Sequence, residues 1–378
     1  MTNASIYTTF LVLLFTVYFL FNTLVFIGWF KLLKYRKKES GKEGLKYHKN
    51  TRFSILIPMR NEASNIIKLI EDLVRQEYSV VNYEIIVVDD HSEDNSWQLV
   101  NKLRIPNLQL VKNIGEGKKE ALLTAQKQAN YEYIIQTDAD CRIGANWLLS
   151  INRYLKNNSV KLLLAPVIFE KRQSFLNSLQ ELEFYALMVS TAGLTALNKA
   201  FMANGANLIY SKEVIDNSDI YRKNIRSGDD VFLLHYVKRK YSADKIHFLI
   251  SKDATVRTKA LNKPTDILNQ RIRWASKSKY YKDLNTIFIG VLILLVNLAL
   301  VMSFIASFNF DNFKLIYKLL FFIKLLTDFY VILPILIFYK RVYLLIYFPI
   351  LSFVYPFYIS FVGLLSQFRN FEWKGRKI

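Results

Sequence analysis

Two aspartates one residue apart, Asp138 and Asp140, follow directly on the apolar pair Ile134-Ile135. Carboxylates spaced i and i+2 on extended backbone point in the same direction, so this pair could share one hard cation. Mg²⁺ and Mn²⁺ are typically held by one or two carboxylates together with substrate phosphate oxygens. The pair therefore predicts a metal-diphosphate site at the end of a buried strand. The alternative is a pair of acids that only caps the turn after the strand.

Three further short motifs carry residue types suited to binding and proton transfer. Gly117-Lys118 offers backbone amides and a mobile positive charge to a phosphate, although basic helix starts are also common on solvated faces. Asp229-Asp230 precedes a helical run and could serve only as an N-cap with an acid that suits the helix dipole. Asn204-Gly205 lies in a loop that could be a plain tight turn.

A fourth motif, Gln270-Arg271-Ile272-Arg273-Trp274, precedes an apolar segment. On a helix, Gln270, Arg273 and Trp274 lie within about one turn of each other. A planar donor, a permanent cation and an aromatic face could then converge on one spot. The alternative is a basic interfacial helix with a tryptophan anchor.

Short apolar runs alternate with helical patterns over residues 53–136, which predicts a parallel sheet with helical crossovers. Such sheets bind ligands beyond the carboxyl ends of their strands, where the polar residues of this chain fall. The predicted strands are Phe53–Pro58, Glu84–Asp90, Leu108–Val111 and Tyr131–Gln136. Helices are predicted over Glu62–Gln76, after the capping region Ser92–Asn95 to about Leu103, and after Gly115–Gly117 to about Gln128. The polar residues that follow them are Pro58, Arg60, Asn61 and Glu62, then Asp89 and Asp90, then Gly117 and Lys118, then Asp138 and Asp140.

Beyond Trp147 the alternation is less regular. Leu162–Val167 is predicted to form one more strand. Ser174–Leu197 is predicted to form an apolar helix that contains Glu181, Glu183 and Tyr185. Such a helix could lie against a membrane, line an acceptor groove or pack in the core.

These motifs, in this order, resemble the nucleotide-sugar half of family 2 glycosyltransferases of the GT-A fold. Gln-x-x-Arg-Trp is similar to a motif shared by membrane-embedded synthases of cellulose, chitin and hyaluronan and by related lipid glycosyltransferases. His91-Ser92 departs from the Gly-Ser or Asn-Ser that usually follows the Asp-Asp pair. The resemblance covers nearly the whole chain and implies an α/β GT-A domain flanked by transmembrane helices.

The resemblance also implies roles for individual residues in an inverting, metal-dependent transfer. Asp229 is expected to be the general base, with Asp230 as the alternative, and Asp138 and Asp140 are expected to hold Mg²⁺ or Mn²⁺ on the diphosphate of a UDP- or GDP-sugar. Acceptor contacts are expected from Asn204, Gly205 and Trp274. The residues expected to bind the donor are Pro58, Arg60, Glu62, Asp90, Lys118, Asp138, Gln270, Arg273 and Trp274.

Apolar segments at both ends of the chain are long enough to cross a bilayer. Ile6–Phe30 contains no charged residue and is followed by five basic residues within eight positions, which predicts an uncleaved anchor with the next domain in the cytoplasm. Thr286–Phe308, Leu315–Tyr339 and Val342–Leu365 are further candidates. Three C-terminal spans would leave the basic stretch Trp373–Lys377 outside, so one segment is re-entrant or interfacial, or the charge rule fails here.

The resulting division of the chain has six parts. They are an anchor at 1–33, a basic juxtamembrane link at 34–52, a cytosolic GT-A domain at 53–260, an interfacial helix with the Gln-x-x-Arg-Trp motif at 261–284, a region of two or three spans at 285–366 and a basic tail at 367–378. The expected location is a bacterial inner (plasma) membrane, with a partner subunit as one option.

The formal net charge of +20 suits nucleic acid or anionic lipid. No nucleic-acid motif is present, and much of the basic charge flanks apolar spans, so lipid is the better explanation. Cys141 is the single cysteine, which excludes an intrachain disulfide and fits a reducing compartment. The four histidines are scattered, and none is assigned to a metal.

The most specific functional prediction is transfer of one sugar to a membrane lipid or lipid-linked acceptor. A processive polysaccharide synthase is the alternative within the same chemistry, although few spans are available to surround a polymer. A non-catalytic membrane scaffold or a nucleic-acid-binding protein is the alternative from another class. A glycoside hydrolase also uses two carboxylates, but it would not need the nucleotide-pocket residues.

Overall fold

The computed structural model describes residues 3–40, 50–171, 174–216, 229–367, 372–373 and 376–377. The chain forms two compact units. The sheet unit contains Leu32–Glu170 and Thr195–Lys259. The helical unit contains Met1–Lys31, Lys171–Leu194 and Ala260–Ile378.

The sheet unit is built on a seven-stranded sheet with a second sheet of two strands. The strands are β1 Phe53–Met59, β2 Tyr83–Asp89, β3 Leu108–Lys112, β4 Tyr133–Gln136, β5 Leu162–Leu164, β6 Val167–Phe169, β7 Leu208–Ser211, β8 Ile246–Phe248 and β9 Val256–Thr258. The larger sheet has the order β3-β2-β1-β4-β7-β5-β8, in which β7 is antiparallel to both neighbours and the other pairs are parallel. The smaller sheet pairs β6 with β9. The mostly parallel α/β architecture predicted from the sequence is therefore present.

The helices of both units follow the predicted order. Those of the sheet unit are α2 Ile66–Val74, α3 Ser96–Asn101, α4 Lys118–Gln128, α5 Trp147–Asn157, α7 Glu213–Asp216 and α8 Asp229–Tyr241. Those mainly in the helical unit are α1 Asn3–Ser40, α6 Phe175–Ala196, α9 Pro264–Ser276, α10 Leu284–Ala306, α11 Asp311–Phe338 and α12 Phe348–Leu365. β1, β2 and β4 read as near-continuous apolar runs because helices cover a parallel sheet on both faces, whereas β3 at the edge of the sheet contains no buried residue.

The sheet reverses its winding between β1 and β4, and this is where a crevice opens. β1 pairs with β2 along all of Phe53–Met59, but its ladder with β4 ends at Leu56 opposite Gln136. Pro58 lies beyond that ladder, so its missing N–H leaves no bond to β4 unmade. The strand therefore continues through Pro58 to Met59, one residue further than predicted. Ligands of doubly wound sheets bind at such a switch point.

Two other predicted elements have different boundaries in the structure. The single strand expected over Leu162–Val167 is two strands, because the chain changes sheets at Ala165-Pro166. The Ala165 N–H donates to the Asn207 carbonyl (3.3 Å), whereas the Pro166 carbonyl accepts from Val256 (3.0 Å). The helix expected from Glu62 begins only at Ile66.

Among the described residues, four helices are long and apolar enough to cross a membrane, over Ile6–Arg36, Leu284–Ala306, Asp311–Phe338 and Val342–Leu365. α1 and α11 run in the same direction, because ring pairs Tyr7 with Phe313 and Trp29 with Phe338 lie 5.6 and 6.0 Å apart. α1 continues past the expected boundary at residue 33 to Ser40, and residues 41–49 of the expected link lie outside the described residues.

α6 crosses α1 at a contact between two glycines. A Cβ atom on Gly28 would collide with the backbone of Gly193, and one on Gly193 with the carbonyl of Val25. Small residues allow helix backbones to approach this closely. The contact therefore holds α6 against the N-terminal apolar helix.

Candidate active site

Lys118 and Asp138 join the ends of two strand-to-helix connections in the crevice of the sheet unit. Gly117 has φ +93°, a conformation that favours glycine, and α4 begins at the next residue. Lys118 Nζ lies 2.5 Å from Asp138 Oδ1, and both side chains are partly exposed. The lysine expected to contact a diphosphate is therefore paired with an aspartate expected to hold a metal.

Asp138 and Asp140 lie in a turn, which corrects the extended geometry expected for them. β4 ends at Gln136, and the Cys141 N–H donates to the Asp138 carbonyl (3.1 Å) to close the turn. Asp140 accepts from the Thr258 hydroxyl at 3.4 Å. The i and i+2 alternation of a strand therefore does not orient this pair, and the turn does.

The segment after this turn is fixed to α2 by a paired arginine and aspartate. Arg142 donates from Nε and Nη2 to the two carboxylate oxygens of Asp72, at 2.6 and 2.8 Å. The Ile143 N–H donates to the same carboxylate at 3.2 Å. A bidentate contact of this kind fixes geometry as well as charge.

The donor atoms at this turn fit a divalent cation that arrives with a diphosphate. Within the described parts of the chain, no three His, Cys, Asp or Glu side chains form a complete metal cage. Mg²⁺ and Mn²⁺ need only one or two carboxylates when phosphate oxygens supply the remaining ligands. Asp138 and Asp140 offer this set.

Cys141, beside this turn, is packed rather than reactive. Its side chain is buried, and burial, followed by the charges of Asp140 and Asp138, raises the pKa of the thiol well above its ordinary value. A protonated thiol is a poor nucleophile. Cys141 is therefore a small packed residue.

Asp90 holds the loop that presents Lys118. Its carboxylate accepts from Asn113 Nδ2 at 2.8 Å and from the Gly117 N–H at 2.9 and 3.0 Å. The carboxylate is buried. Asp90 thus ties the end of β2 to the start of α4.

Arg60 and Glu62, both expected to contact the donor, also make contacts within the protein. Arg60 is buried and donates to the carbonyls of Asp90 (2.9 Å) and His91 (3.0 Å) and to the carboxylate of Glu93 (3.0 Å). Glu62 accepts from Asn65 Nδ2 at 2.7 Å, just before α2. These side chains fix the loops after β1 and β2, between which Pro58 lies partly exposed.

Gly205 lies beside three other residues of the site. Its N–H donates to Asp230 Oδ2 at 3.2 Å, and a Cβ atom built on it would lie 2.7 Å from Gln136 Nε2 and 3.6 Å from Lys118 Nζ. Asn204 Oδ1 accepts from the Ala206 N–H (3.0 Å), so its side chain shapes the same loop. The loop Asn204–Asn207 therefore borders the Lys118–Asp138 pair.

Two acids, Asp229 and Asp230, lie at the start of α8, and the contacts of Asp230 place it beside Gly205. Asp230 Oδ2 accepts from Gly205, and Oδ1 accepts from the N–H of Val231 at 2.8 Å. α8 begins at Asp229, but the side chain of Asp229 and the preceding residues 217–228 lie outside the described residues. Asp230 is thus the acid that the described structure brings to the site.

The Gln-x-x-Arg-Trp motif lies on α9 in the helical unit, as expected from its helical spacing. The guanidinium that joins Gln270 to Trp274 is that of Arg271 rather than Arg273. Arg271 Nη1 donates to Gln270 Oε1, and its guanidinium carbon lies 4.4 Å from the centroid of the Trp274 ring. Arg273 is half-buried on the same helix.

Sequence reasoning missed the parts played by Asp89, Gln136, Arg271 and Glu183. Asp89 is buried at the end of β2, and its Oδ1 has no hydrogen-bond partner among the described residues. The Asp-Asp doublet was a signal for Asp89, and acids within an apolar helix were a signal for Glu183. Gln136 gave no signal, because a single glutamine at a strand end is common.

The chain was compared with known protein families and relatives. Residues 54–218 match the model described as Glycosyl transferase family 2. Glycosyltransferase AglE of Haloferax volcanii is 26% identical over 193 residues, which are 50% of this chain and 61% of that protein. Poly(ribitol-phosphate) beta-N-acetylglucosaminyltransferase TarS of Staphylococcus aureus is 26% identical over 207 residues, which are 53% of this chain and 34% of that protein. The chain thus spans less than two thirds of the length of both relatives.

A solved structure with a similar chain path is mannosyltransferase PcManGT from Pyrobaculum calidifontis in complex with GDP-Man and Mn²⁺. It is 16% identical, has a TM-score of 0.48 and covers 83% of this chain and 96% of its own. The expected fold class, a mostly parallel α/β GT-A-type domain with apolar helices at both ends, is confirmed. Because the matched segment contains the loops that carry Asp90, Lys118, Asp138 and Asp140, residues 54–218 form a glycosyl transferase family 2 domain.

Proposed function

We propose that this protein is a membrane-bound inverting glycosyltransferase, which moves a sugar from a nucleotide-sugar donor to a membrane lipid or lipid-linked acceptor. The observation that carries the proposal is the Lys118–Asp138 pair, which faces Gly205 at the switch point of a family 2 domain. A lysine and carboxylates at the carboxyl edge of a parallel sheet are the groups that a sugar diphosphate and its cation require.

The donor diphosphate would separate Lys118 from Asp138. Lys118 would then contact phosphate oxygens, and Asp138 and Asp140 would be the ligands of Mg²⁺ or Mn²⁺. The bound cation would offset the charge that develops on the departing nucleoside diphosphate. Asp90, with Pro58, Arg60 and Glu62, would shape the nucleoside pocket, and Asp89 adds an acceptor oxygen at the same edge.

Asp229 would remove the proton from the acceptor hydroxyl. As the acceptor oxygen bonds to the anomeric carbon, the bond from that carbon to the diphosphate breaks, and the proton passes to the Asp229 carboxylate. A single displacement inverts the anomeric centre. Asp230 is the less suitable base because both of its oxygens already accept backbone N–H groups.

The acceptor is proposed to be lipid-borne because four helices in the described part of the chain are long and apolar enough to cross a membrane. Asn204 and Gly205 are assigned to the acceptor side. Gln270, Arg273 and Trp274 are assigned to contacts with donor and acceptor, as the family resemblance implies. The sheet unit would lie in the cytoplasm, because basic residues follow the first apolar segment.

Release of nucleoside diphosphate tests this function. Detergent-solubilised protein with native lipid would be given a panel of UDP- and GDP-sugars, with Mn²⁺ or with EDTA. Turnover with one donor that is lost in EDTA and in Asp229→Asn supports the proposal. Turnover that survives both treatments contradicts it.

A further inference from the structure

Arg271 on the motif helix α9 contacts Glu183, Gln270 and Trp274, and we call these four residues the Arg271 hub. Its Nε and Nη2 donate to the Glu183 carboxylate at distances from 2.7 to 3.2 Å. Its third nitrogen, Nη1, donates to Gln270, and its guanidinium lies over the Trp274 ring. One side chain thus contacts an acid on α6 and two motif residues on α9.

The ion pair of the Arg271 hub is buried, with the side chains of Arg271 and Glu183 only 4% and 9% exposed. A buried ion pair is maintained only when its geometry is excellent and its remaining hydrogen-bonding groups are satisfied. Here all three guanidinium nitrogens have acceptors, and one face is covered by an indole ring. An arginine held in this way has one orientation, and Gln270 and Trp274 are oriented with it.

We propose that Glu183 and Arg271 are positioning residues for Gln270 and Trp274, and that they set the affinity for the acceptor. The proposal rests on the proposed function, because Trp274 is assigned there to the acceptor. Glu183 acts through Arg271, and it does not contact the reacting atoms. Without Glu183, the guanidinium loses its two-point anchor and the indole ring is free to turn.

Glu183→Gln tests this proposal, with Glu181→Gln as the matched control. Glu181 lies on the same helix and has its own arginine, Arg341, with Nε 3.3 Å from Glu181 Oε1. The first readout is acrylamide quenching of Trp274 emission, obtained by difference from the same protein with Trp274→Phe. The second is KM for the acceptor and for the donor, measured separately.

In Glu183→Gln we expect stronger quenching of Trp274 and a rise of roughly tenfold or more in acceptor KM, with a smaller rise in donor KM, because Gln270 and Trp274 are assigned to both substrates. The double variant Glu183→Arg, Arg271→Glu exchanges the two charges. Its Trp274 quenching and its acceptor KM should return part of the way to the wild-type values. Unchanged quenching in Glu183→Gln, or equal effects in the Glu181 control, overturns the proposal. If the wild type transfers no sugar, the proposed function fails, while the quenching result still decides the positioning.

A separate set of contacts concerns how α12 lies in the membrane. α12 follows α11 after a short 3₁₀ segment, Val342–Tyr347. At its other end, Lys279 Nζ donates to the carbonyl of Gln367 at 2.6 Å. Because Lys279 is only five positions before α10, the end of α12 lies beside the start of α10.

The end of α11 and the end of α12 are therefore on the same side of the bilayer if α10 and α11 both cross it. α10 enters from the side of Lys279, and α11 returns to that side after the short turn at residues 307–310. The chain leaves α11 on that side, passes through Val342–Tyr347 into α12, and finishes beside Lys279. A segment that leaves and returns on one side has not crossed.

The side contacts of α12 show that its first part lies at membrane depth, between α11 and the far end of α10. Its first residue, Phe348, has its ring 5.8 Å from Phe329 of α11, whereas Phe357 lies 5.3 Å from Phe304 of α10. At Gly363 a Cβ atom would lie 2.9 Å from Leu294. α12 thus passes from α11 to α10, and Pro356 lies in the middle of it.

We infer that Val342–Leu365 is a re-entrant segment and that Gln367, at its end, lies on the side of the α9–α10 connection. This removes the conflict between three C-terminal spans and the tendency of basic residues to remain in the cytoplasm. A non-crossing segment at membrane depth is tolerated where it packs against protein, as α12 does.

Single cysteines in a Cys141→Ser background test this topology. Lys282→Cys marks the α9–α10 connection, Asn309→Cys marks the opposite side, and Gln367→Cys reports the end of α12; all three positions are exposed. A membrane-impermeant maleimide would be applied to sealed vesicles of each orientation. We expect positions 367 and 282 to be labelled in vesicles of the same orientation, and position 309 in vesicles of the opposite orientation. Labelling of 367 together with 309, or of 282 together with 309, overturns the inference.

Discussion

Lys118 Nζ and Asp138 Oδ1 lie 2.5 Å apart, so the cation and the anion that a sugar diphosphate would use neutralise each other in this structure. Both side chains are partly exposed, which allows the pair to separate at modest cost, because water stabilises the separated charges. The pair joins the connection after β3 to the connection after β4. Donor binding and reorganisation of this contact are therefore expected to be coupled.

Lys118→Met should raise donor KM by roughly tenfold to a hundredfold, because a charge-assisted contact to the diphosphate is lost. Lys127→Met is the control, since Lys127 is exposed on the same helix. Initial rates at varied donor concentration check the prediction. An unchanged donor KM in Lys118→Met would remove this lysine from the donor site.

Gly205→Ala should lower kcat/KM by at least about tenfold, because the added methyl group lies 2.7 Å from Gln136 Nε2 and must displace it. Gly144→Ala is the matched control, since a Cβ atom there meets nothing within 4 Å. The two variants would be compared for activity and for thermal stability. Equal activity of both variants would show that this loop does not border the reaction.

Acidification should destabilise the sheet unit through His247. Burial lowers the pKa of this histidine, whose ring nitrogens face the Tyr154 hydroxyl (2.9 Å) and the Asp244 carbonyl (3.0 Å). The unfolded chain binds a proton at higher pH than the folded one, so stability is complete above about pH 6.5 and is lost as the pH falls toward the folded pKa. Unfolding midpoints of wild type and His247→Gln at pH 7.5 and 5.5 check this. The pH dependence should be weaker in the variant, and an equal dependence would exclude His247 as its source.

Gly193→Ala should destabilise the helical unit by about 1–3 kcal/mol, because a Cβ atom at this position meets the carbonyl of Val25 on α1. Gly290→Ala is the control, because open space surrounds that position on α10. The measurement is the thermal midpoint in the same detergent. Equal midpoints for the two variants would contradict the close contact of α1 with α6.

Local patterns predicted much of the fold. The strands β1, β2 and β4 were recognisable because a parallel sheet covered on both faces needs continuous apolar runs, such as Ile85–Val88. α4 and the candidate membrane spans were recognisable from their spacing and length. The split at Ala165-Pro166 was not, because an apolar run does not record which sheet each residue joins.

The candidate site was predictable as a set of residues but not as a set of contacts. Lys118 and Asp138 are twenty positions apart, and only the sheet order brings them together. Arg271 was passed over because the motif template treats its position as variable. Its importance comes from Glu183, which lies 88 positions earlier on another helix.

Transfer of radiolabelled sugar into lipid is the most direct measurement of the central claim. Membranes containing wild-type protein or Asp229→Asn would receive the labelled donor found in the nucleotide panel, and the product would be extracted into organic solvent and sized. The account predicts one labelled sugar on an extractable lipid, formed by the wild type and absent with Asp229→Asn. Equal labelling by Asp229→Asn would contradict the assignment of the base, and label found only in long polymer would contradict transfer to a lipid.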